Sequence, residues 1–220
     1  MKDTRRTIYS FIGLPASGKD TQAEIFIQKV GLKPIVSAGD LVRKMIELDP
    51  ADPFIAEVKK RYDEGIPQPD DIVIDLVKDY LTHTSESTVF ANFPFSTPQA
   101  KFIFDFVAEN SSFFAEPVLV FIKTDPETSV KRAISRKVCS SCDAVYGVTD
   151  EMICEKCGGA LVVRSDDNED TVRERVSRYL PKTREVVEFY RTHGGTVYEI
   201  NGEQSVPDVA KEIEEKLCIS

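Results

Sequence analysis

The chain has 220 residues, 41% of them hydrophobic and 30% charged, which is enough for one substantial core carrying inserted subdomains. A formal net charge of −9 and a pI near 4.9 argue against general nucleic-acid binding, because the summed field repels a phosphate backbone. No apolar run approaches the ~18 residues of a membrane span, and charged Met1 to Arg6 leads straight into a strand-like run, so no membrane partner and a cytoplasmic location are expected.

The run Ile8 to Ile12 precedes Gly13-Leu14-Pro15-Ala16-Ser17-Gly18-Lys19-Asp20-Thr21 and a helix-like segment from Gln22 to Val30. A strand, a small-residue loop ending in Gly-Lys and a helix form a phosphate cradle. Loop amides and the open helix N-terminus point at one spot, Gly13 and Gly18 let the backbone bend, and Lys19 adds a point charge. The spacing fits G-x-x-x-x-G-K, but Asp20 stands where the general pattern has Ser or Thr. Pro34 to Val36 reads as a second strand, and Ser37 as the cap of a helix running through Ala38, Leu41 and Arg43.

Pro50 and Pro53 interrupt the chain, after which Phe54, Ile55, Val58 and Tyr62 form a helical stripe ending at Gly65. Pro69-Asp70 opens the next helix, with Ile72, Val73, Leu76, Val77 and Tyr80 on one face. Thr88 to Ala91 is a third strand, followed by the segment Asn92 to Ala100 and a helix to Asn110. Pro117 to Ile122 is apolar throughout, as expected of a strand covered on both faces. Thr124-Asp125-Pro126 caps a further helix, with Pro126 at its first position.

Four of the five cysteines form Cys139-x-x-Cys142 and Cys154-x-x-Cys157, eleven residues apart. Two such turns deliver four thiolates to one tetrahedral ion, and zinc fits that set as a closed structural site. A redox dithiol is disfavoured because both pairs share one small insertion. Asn168 then caps a long helix that stops at His193-Gly194-Gly195. Thr196 to Ile200 is the last strand, and Val206 to Leu217 a closing amphipathic helix. Five strand-like runs separated by helices predict an α/β fold with a doubly wound, parallel, five-stranded sheet of P-loop NTPase type.

Beyond the loop, Thr21-Gln22-Ala23, Ser37 to Arg43, Phe93-Pro94, Gln99-Ala100, Arg132 to Arg136 and Arg164 to Arg175 resemble, in order, the motifs of the adenylate kinases with a zinc-bearing lid. The resemblance implies a core at 1–36, 67–134 and 168–220, a helical NMP-binding insertion at 37–66 and a zinc lid at 135–167. It implies reversible transfer of the ATP γ-phosphoryl group to AMP, with Mg²⁺ accompanying ATP, by a monomer. Gly13, Pro15, Ala16, Ser17, Gly18, Lys19, Asp20, Thr21, Arg132 and Arg136 would line the ATP site. Ala38, Arg43, Asn92, Phe95, Gln99, Arg164 and Arg175 would line the AMP site, and Lys19, Arg136, Arg164 and Arg175 would surround the transferred group.

Several positions depart from the family pattern. Ala38 replaces a Thr, Ala91 an Asp that organises Mg²⁺, Phe95 an Arg that grips the acceptor phosphate, and Asp20 a Gly. One adaptation would join two of these, with Asp20 supplying the Mg²⁺ ligand that Ala91 no longer does; the opposing view turns Asp20 outward or against the donor phosphates. The departures also leave room for a nucleotide-binding sensor with weak or no turnover, or for a different NMP acceptor. A zinc-ribbon nucleic-acid binder is disfavoured by the acidic charge.

Overall fold

The computed structural model describes residues 5–32, 36–48, 52–64, 66–142, 144–163 and 168–219. Five strands, β1 (Ile8–Gly13), β2 (Val36–Ser37), β3 (Thr88–Ala91), β4 (Val118–Lys123) and β8 (Thr196–Asn201), pair in the order β2-β3-β1-β4-β8. Every pairing among them is parallel. The predicted doubly wound sheet is therefore present, and the near-continuous apolar runs of its central strands follow from burial on both faces.

Alternation along β1 and β4 divides the core. Phe11, Val120 and Ile122 join Ala23 and Phe26 of α1 (Lys19–Val30) and Val209 and Ile213 of α8 (Val206–Lys216) on one face. Ile12 and Leu119 meet Val186, Val187 and Tyr190 of α7 (Glu169–Thr192) on the other. Farther along that second face, Ile8 and Phe90 pack on Val77 and Leu81 of α4 (Asp70–His83) and Ile103 of α5 (Thr97–Glu109). Helices α2 (Ala38–Leu48) and α3 (Pro53–Asp63) follow β2, and α6 (Pro126–Ser135) follows β4.

The caps match the sequence reading closely. Asp125 accepts from the Glu127 N–H with Pro126 at the first helical position, Asn168 accepts from the Thr171 N–H, and Gly194 is left-handed with φ 81° just beyond α7. Ser37 accepts from the Asp40 N–H at 3.0 Å. The stop at Gly65 and most of the Pro34 to Val36 strand lie outside the described residues.

One region is more ordered than a cysteine hairpin suggests. Strands β5 (Arg136–Cys139), β6 (Val145–Val148) and β7 (Leu161–Val163) form a separate antiparallel sheet in the order β6-β5-β7. Among the described residues, its buried interior is Cys139, Cys154 and Leu161. Arg136 belongs to this sheet, immediately after the end of α6 at Ser135.

Candidate active site and metal centre

The loop after β1 sits at the carboxyl end of the sheet, where β1 has β3 on one side and β4 on the other. Connections from these strands run in opposite directions at that point, which opens the crevice that α/β sheets use for ligands. The loop is held from below: the Ser17 N–H donates to the Leu14 carbonyl at 3.1 Å, and the Ser129 hydroxyl of α6 donates to the Pro15 carbonyl. Gly18 is required by conformation, with φ 91°, and Gly13 by space, since a Cβ there would lie 2.6 Å from the Ile122 carbonyl oxygen. Ala16 adopts φ 55° as a non-glycine residue, a sparsely populated conformation held by the surrounding loop.

No side chain caps α1 at Gly18, so the first-turn amides are left for an anion. The Ser17 hydroxyl is buried without a partner among the described residues. Lys19 is 7% exposed, and its ammonium lies 3.1 Å from the Asp20 carboxylate, whose side chain is 65% exposed. The cradle therefore holds one buried cation with an acidic neighbour already on it.

The cysteine cluster tests well against a tetrahedral metal. All four sulfurs of Cys139, Cys142, Cys154 and Cys157 lie within 4.8 Å of one another. The Cys139–Cys157 and Cys142–Cys154 sulfur distances are 3.4 and 3.7 Å, against the ~3.8 Å edge of a tetrahedron with metal–sulfur bonds of ~2.3 Å. The Tyr146 hydroxyl, itself accepting from the Glu155 N–H at 2.9 Å, donates to Cys154 Sγ at 3.4 Å. That bond brings the Cys154 thiol down to about 6. The Gly159 N–H favours the Cys157 thiolate, yet the Cys142 and Cys139 sulfurs hold that thiol up at about 12. Four sulfurs this close cannot all ionise without a cation among them, so the donor set suits a closed metal site.

The adenylate kinase family model matches residues 11–195. Adenylate kinase of Geobacillus sp. (strain WCH70) is 32% identical, covering 94% of this chain and 96% of the relative. Adenylate kinases of Clostridioides difficile (strain 630) and Archaeoglobus fulgidus are each 32% identical, over 92% and 93% of this chain and 94% of each relative. The chain belongs to the adenylate kinase family. That membership bears out the expected enzyme class, an ATP-dependent nucleoside monophosphate phosphotransferase.

Against this family frame, the residues expected at the two nucleotide sites have the following surroundings. Arg132, on α6, donates to the Gly202 carbonyl at 2.7 Å, which ties its guanidinium to the turn after β8. Arg136 opens β5 in the three-stranded antiparallel sheet, and Arg175 lies half-buried on α7. Arg164 lies outside the described residues. On the β3 side, Arg43 donates to the Tyr62 hydroxyl at 3.0 and 3.1 Å and lies 3.4 Å from Asp40. Ala38 packs against the α4–α5 core cluster.

Asn92 has φ 60°, and its N–H donates to the Phe11 carbonyl at 2.9 Å, holding the segment after β3 against β1. Gln99 is 3% exposed. Its carboxamide accepts from the Phe95 N–H at 2.8 Å and donates to Asp70 at 2.7 Å, while the Ser96 hydroxyl donates to the same Asp70 oxygen at 2.8 Å. Phe95 faces Tyr179 of α7, with ring centroids 4.6 Å apart.

Sequence reasoning missed Tyr62, Asp70, Tyr146 and Tyr179, since no motif marks them and only the fold brings them to their partners. No motif marks the pairing by which Arg173 clasps Glu127 of α6 with two bonds of 2.7 and 3.0 Å while also bonding Glu169. The Arg173 bonds hold the Glu127 carboxyl below its ordinary range.

Proposed function

We propose that this chain is an adenylate kinase that transfers the γ-phosphoryl group of ATP reversibly to AMP. The observation that carries this reading is the uncapped, lysine-bearing cradle at the sheet's switch point, inside a match to the family that spans nearly the whole chain. Phosphoryl transfer needs little covalent help from the protein, because positioning and charge stabilisation do most of the work. The cradle amides and Lys19 hold the donor phosphates, with Arg132 and Arg136 on the α6 side. Arg43 and the 92–99 segment hold the acceptor, and Arg136, Arg164 and Arg175 supply positive charge to the transferred group. For Gln99 to read the acceptor base, its carboxamide must exchange the Asp70 and Phe95 bonds for nucleotide.

The finer assignments belong to the same proposal. The core comprises 1–36, 67–134 and 168–220, with an acceptor-binding insertion at 37–66 and a lid at 135–167, in which the four cysteines hold structural zinc. Closure of the lid excludes water, so that phosphate passes to the nucleotide. Mg²⁺ enters with ATP and neutralises phosphate charge, and Asp20 supplies it with a carboxylate ligand. The enzyme acts as a cytoplasmic monomer in nucleotide biosynthesis, without nucleic-acid or membrane partners. Among the described residues no helix is long and apolar enough to cross a membrane.

A second reading, a nucleotide sensor with little turnover, is favoured by one feature, the Asp20 carboxylate already seated on Lys19. A coupled assay of ADP production with ATP and a panel of nucleoside monophosphates separates the two. Turnover with AMP above the other acceptors supports the kinase. Nucleotide binding without turnover of any acceptor overturns it in favour of the sensor.

A further inference from the structure

Lys182 is absorbed by none of the motifs, yet its surroundings are specific. Its ammonium stands 5.6 Å from the centroid of the Phe95 ring, and among the described residues it has no carboxylate partner. Phe95 is in turn packed on Tyr179. Tyr179 also packs against the cluster that contains Leu14 of the cradle and that Ala16 borders. One side chain of α7 therefore packs on the segment after β3 and borders the cluster to which Leu14 of the phosphate loop belongs, and Lys182 stands beside it on the same helix.

The helix geometry extends this arrangement toward the cleft. Arg175, Tyr179 and Lys182 are spaced i, i+4 and i+7, so they share one face of α7. The cradle and the segment after β3 follow neighbouring parallel strands, where ligands of such sheets bind. An ammonium without a carboxylate partner among the described residues, held half-buried over an aromatic ring, gains a modest cation–π attraction. It still has donors to spare, and a phosphoryl group is the ligand that uses them. The position on the β3 side of the cradle selects between the two nucleotides: Arg132 and α6 flank the opposite side, next to β4.

We infer that Lys182 is a binding residue for the phosphate of the acceptor monophosphate, supplying from α7 the charge that Phe95 does not carry. This rests on the kinase reading above. The arrangement trades a planar fork for a point charge, so it recognises a phosphate without fixing its rotation as a guanidinium does. Phe95 contributes as the platform that holds the ammonium in place.

The test uses the full chain with its metal and compares wild type, Lys182→Met, Lys182→Arg and the double variant Lys182→Met/Phe95→Arg. Four quantities are read: the AMP and ATP Michaelis constants, the dissociation constant of AMP, that of adenosine, and the melting temperature. Loss of a charged hydrogen bond predicts at least about a tenfold rise in the AMP constants for Lys182→Met. Adenosine and ATP affinity should be unmoved, Lys182→Arg should keep AMP affinity, and the double variant should regain it.

A lower melting temperature with unchanged AMP affinity would overturn the inference while leaving the kinase reading intact, since Lys182 would then only brace the ring. A change confined to ATP would also overturn it, moving Lys182 to the donor side. If wild type neither binds AMP nor turns over any monophosphate, the inference and the kinase reading fall together.

Discussion

Replacing Asp20 with Gly removes the carboxylate 3.1 Å from the Lys19 ammonium. The Asp20 side chain is 65% exposed, so the pair is of the solvent-screened kind that contributes about 0.2–1 kcal/mol. Donor phosphates without a metal must displace that carboxylate from Lys19, which costs at most about fivefold in affinity. With Mg²⁺ present the sign reverses, because a carboxylate beside polyphosphate becomes a ligand for a hard cation. Titration calorimetry of ATP in chelator and in excess Mg²⁺ reads both terms. Asp20→Gly should bind metal-free ATP about two- to fivefold tighter and bind Mg-ATP no better or worse. The Mg²⁺ concentration for half-maximal turnover should rise, and Asp20→Gly/Ala91→Asp should reverse that rise. If the single variant leaves both affinities and the Mg²⁺ requirement unchanged, Asp20 points away from the nucleotide and the reasoning fails.

Cys142→Ser should drop bound zinc well below one per chain by metal analysis and expose amides of the cysteine-bearing sheet to hydrogen exchange, because among the described residues its buried cluster is Cys139, Cys154 and Leu161, two of them sulfur donors, which leaves little to hold it without a metal; Cys218→Ser should change neither. Gly13→Ala places a Cβ 2.6 Å from both the Ile122 carbonyl oxygen and the Ser17 hydroxyl, and overpacking of this kind costs about 1–3 kcal/mol, read as a lower melting temperature together with weaker ATP binding. Glu127 has its carboxyl pKa lowered by the Arg173 bonds, so its contribution is present above the ordinary carboxylate pKa and is lost as pH falls through the lowered one. Glu127→Gln should therefore flatten the acid side of the stability profile in denaturant melts from pH 7 to pH 3, and an unchanged slope would show that the clasp does not couple α6 to α7.

Much of the site was legible because it is local. Gly18 and Lys19 act through a loop six to seven residues from the end of an apolar run, and their chemistry needs only the strand–loop–helix order that periodicity and glycine placement reveal. The cysteine pairs carry their own geometry, since each C-x-x-C turn sets two sulfurs before anything else folds. The caps at Asp125, Asn168 and Ser37 were equally readable, because the capping oxygen and the amide it accepts from lie two or three residues apart.

What the sequence alone determined, then, was the order of the five strands of the parallel sheet and of the helices between them, the phosphate cradle and the four cysteines that could hold a metal, each a matter of spacing along the chain. Only the tertiary structure decided which side chains meet across it. Arg43 finds Tyr62 on another helix, Glu127 finds Arg173 46 residues away, and Phe95 meets Tyr179 and Lys182 of α7. These pairings depend on how helices dock on the two faces of the sheet. Docking is set by the summed burial of many apolar residues rather than by any local signal. The same physics explains Gln99, whose buried carboxamide takes its partners from α4 and from its own loop, because a polar group removed from water must be satisfied by whatever the fold brings near it.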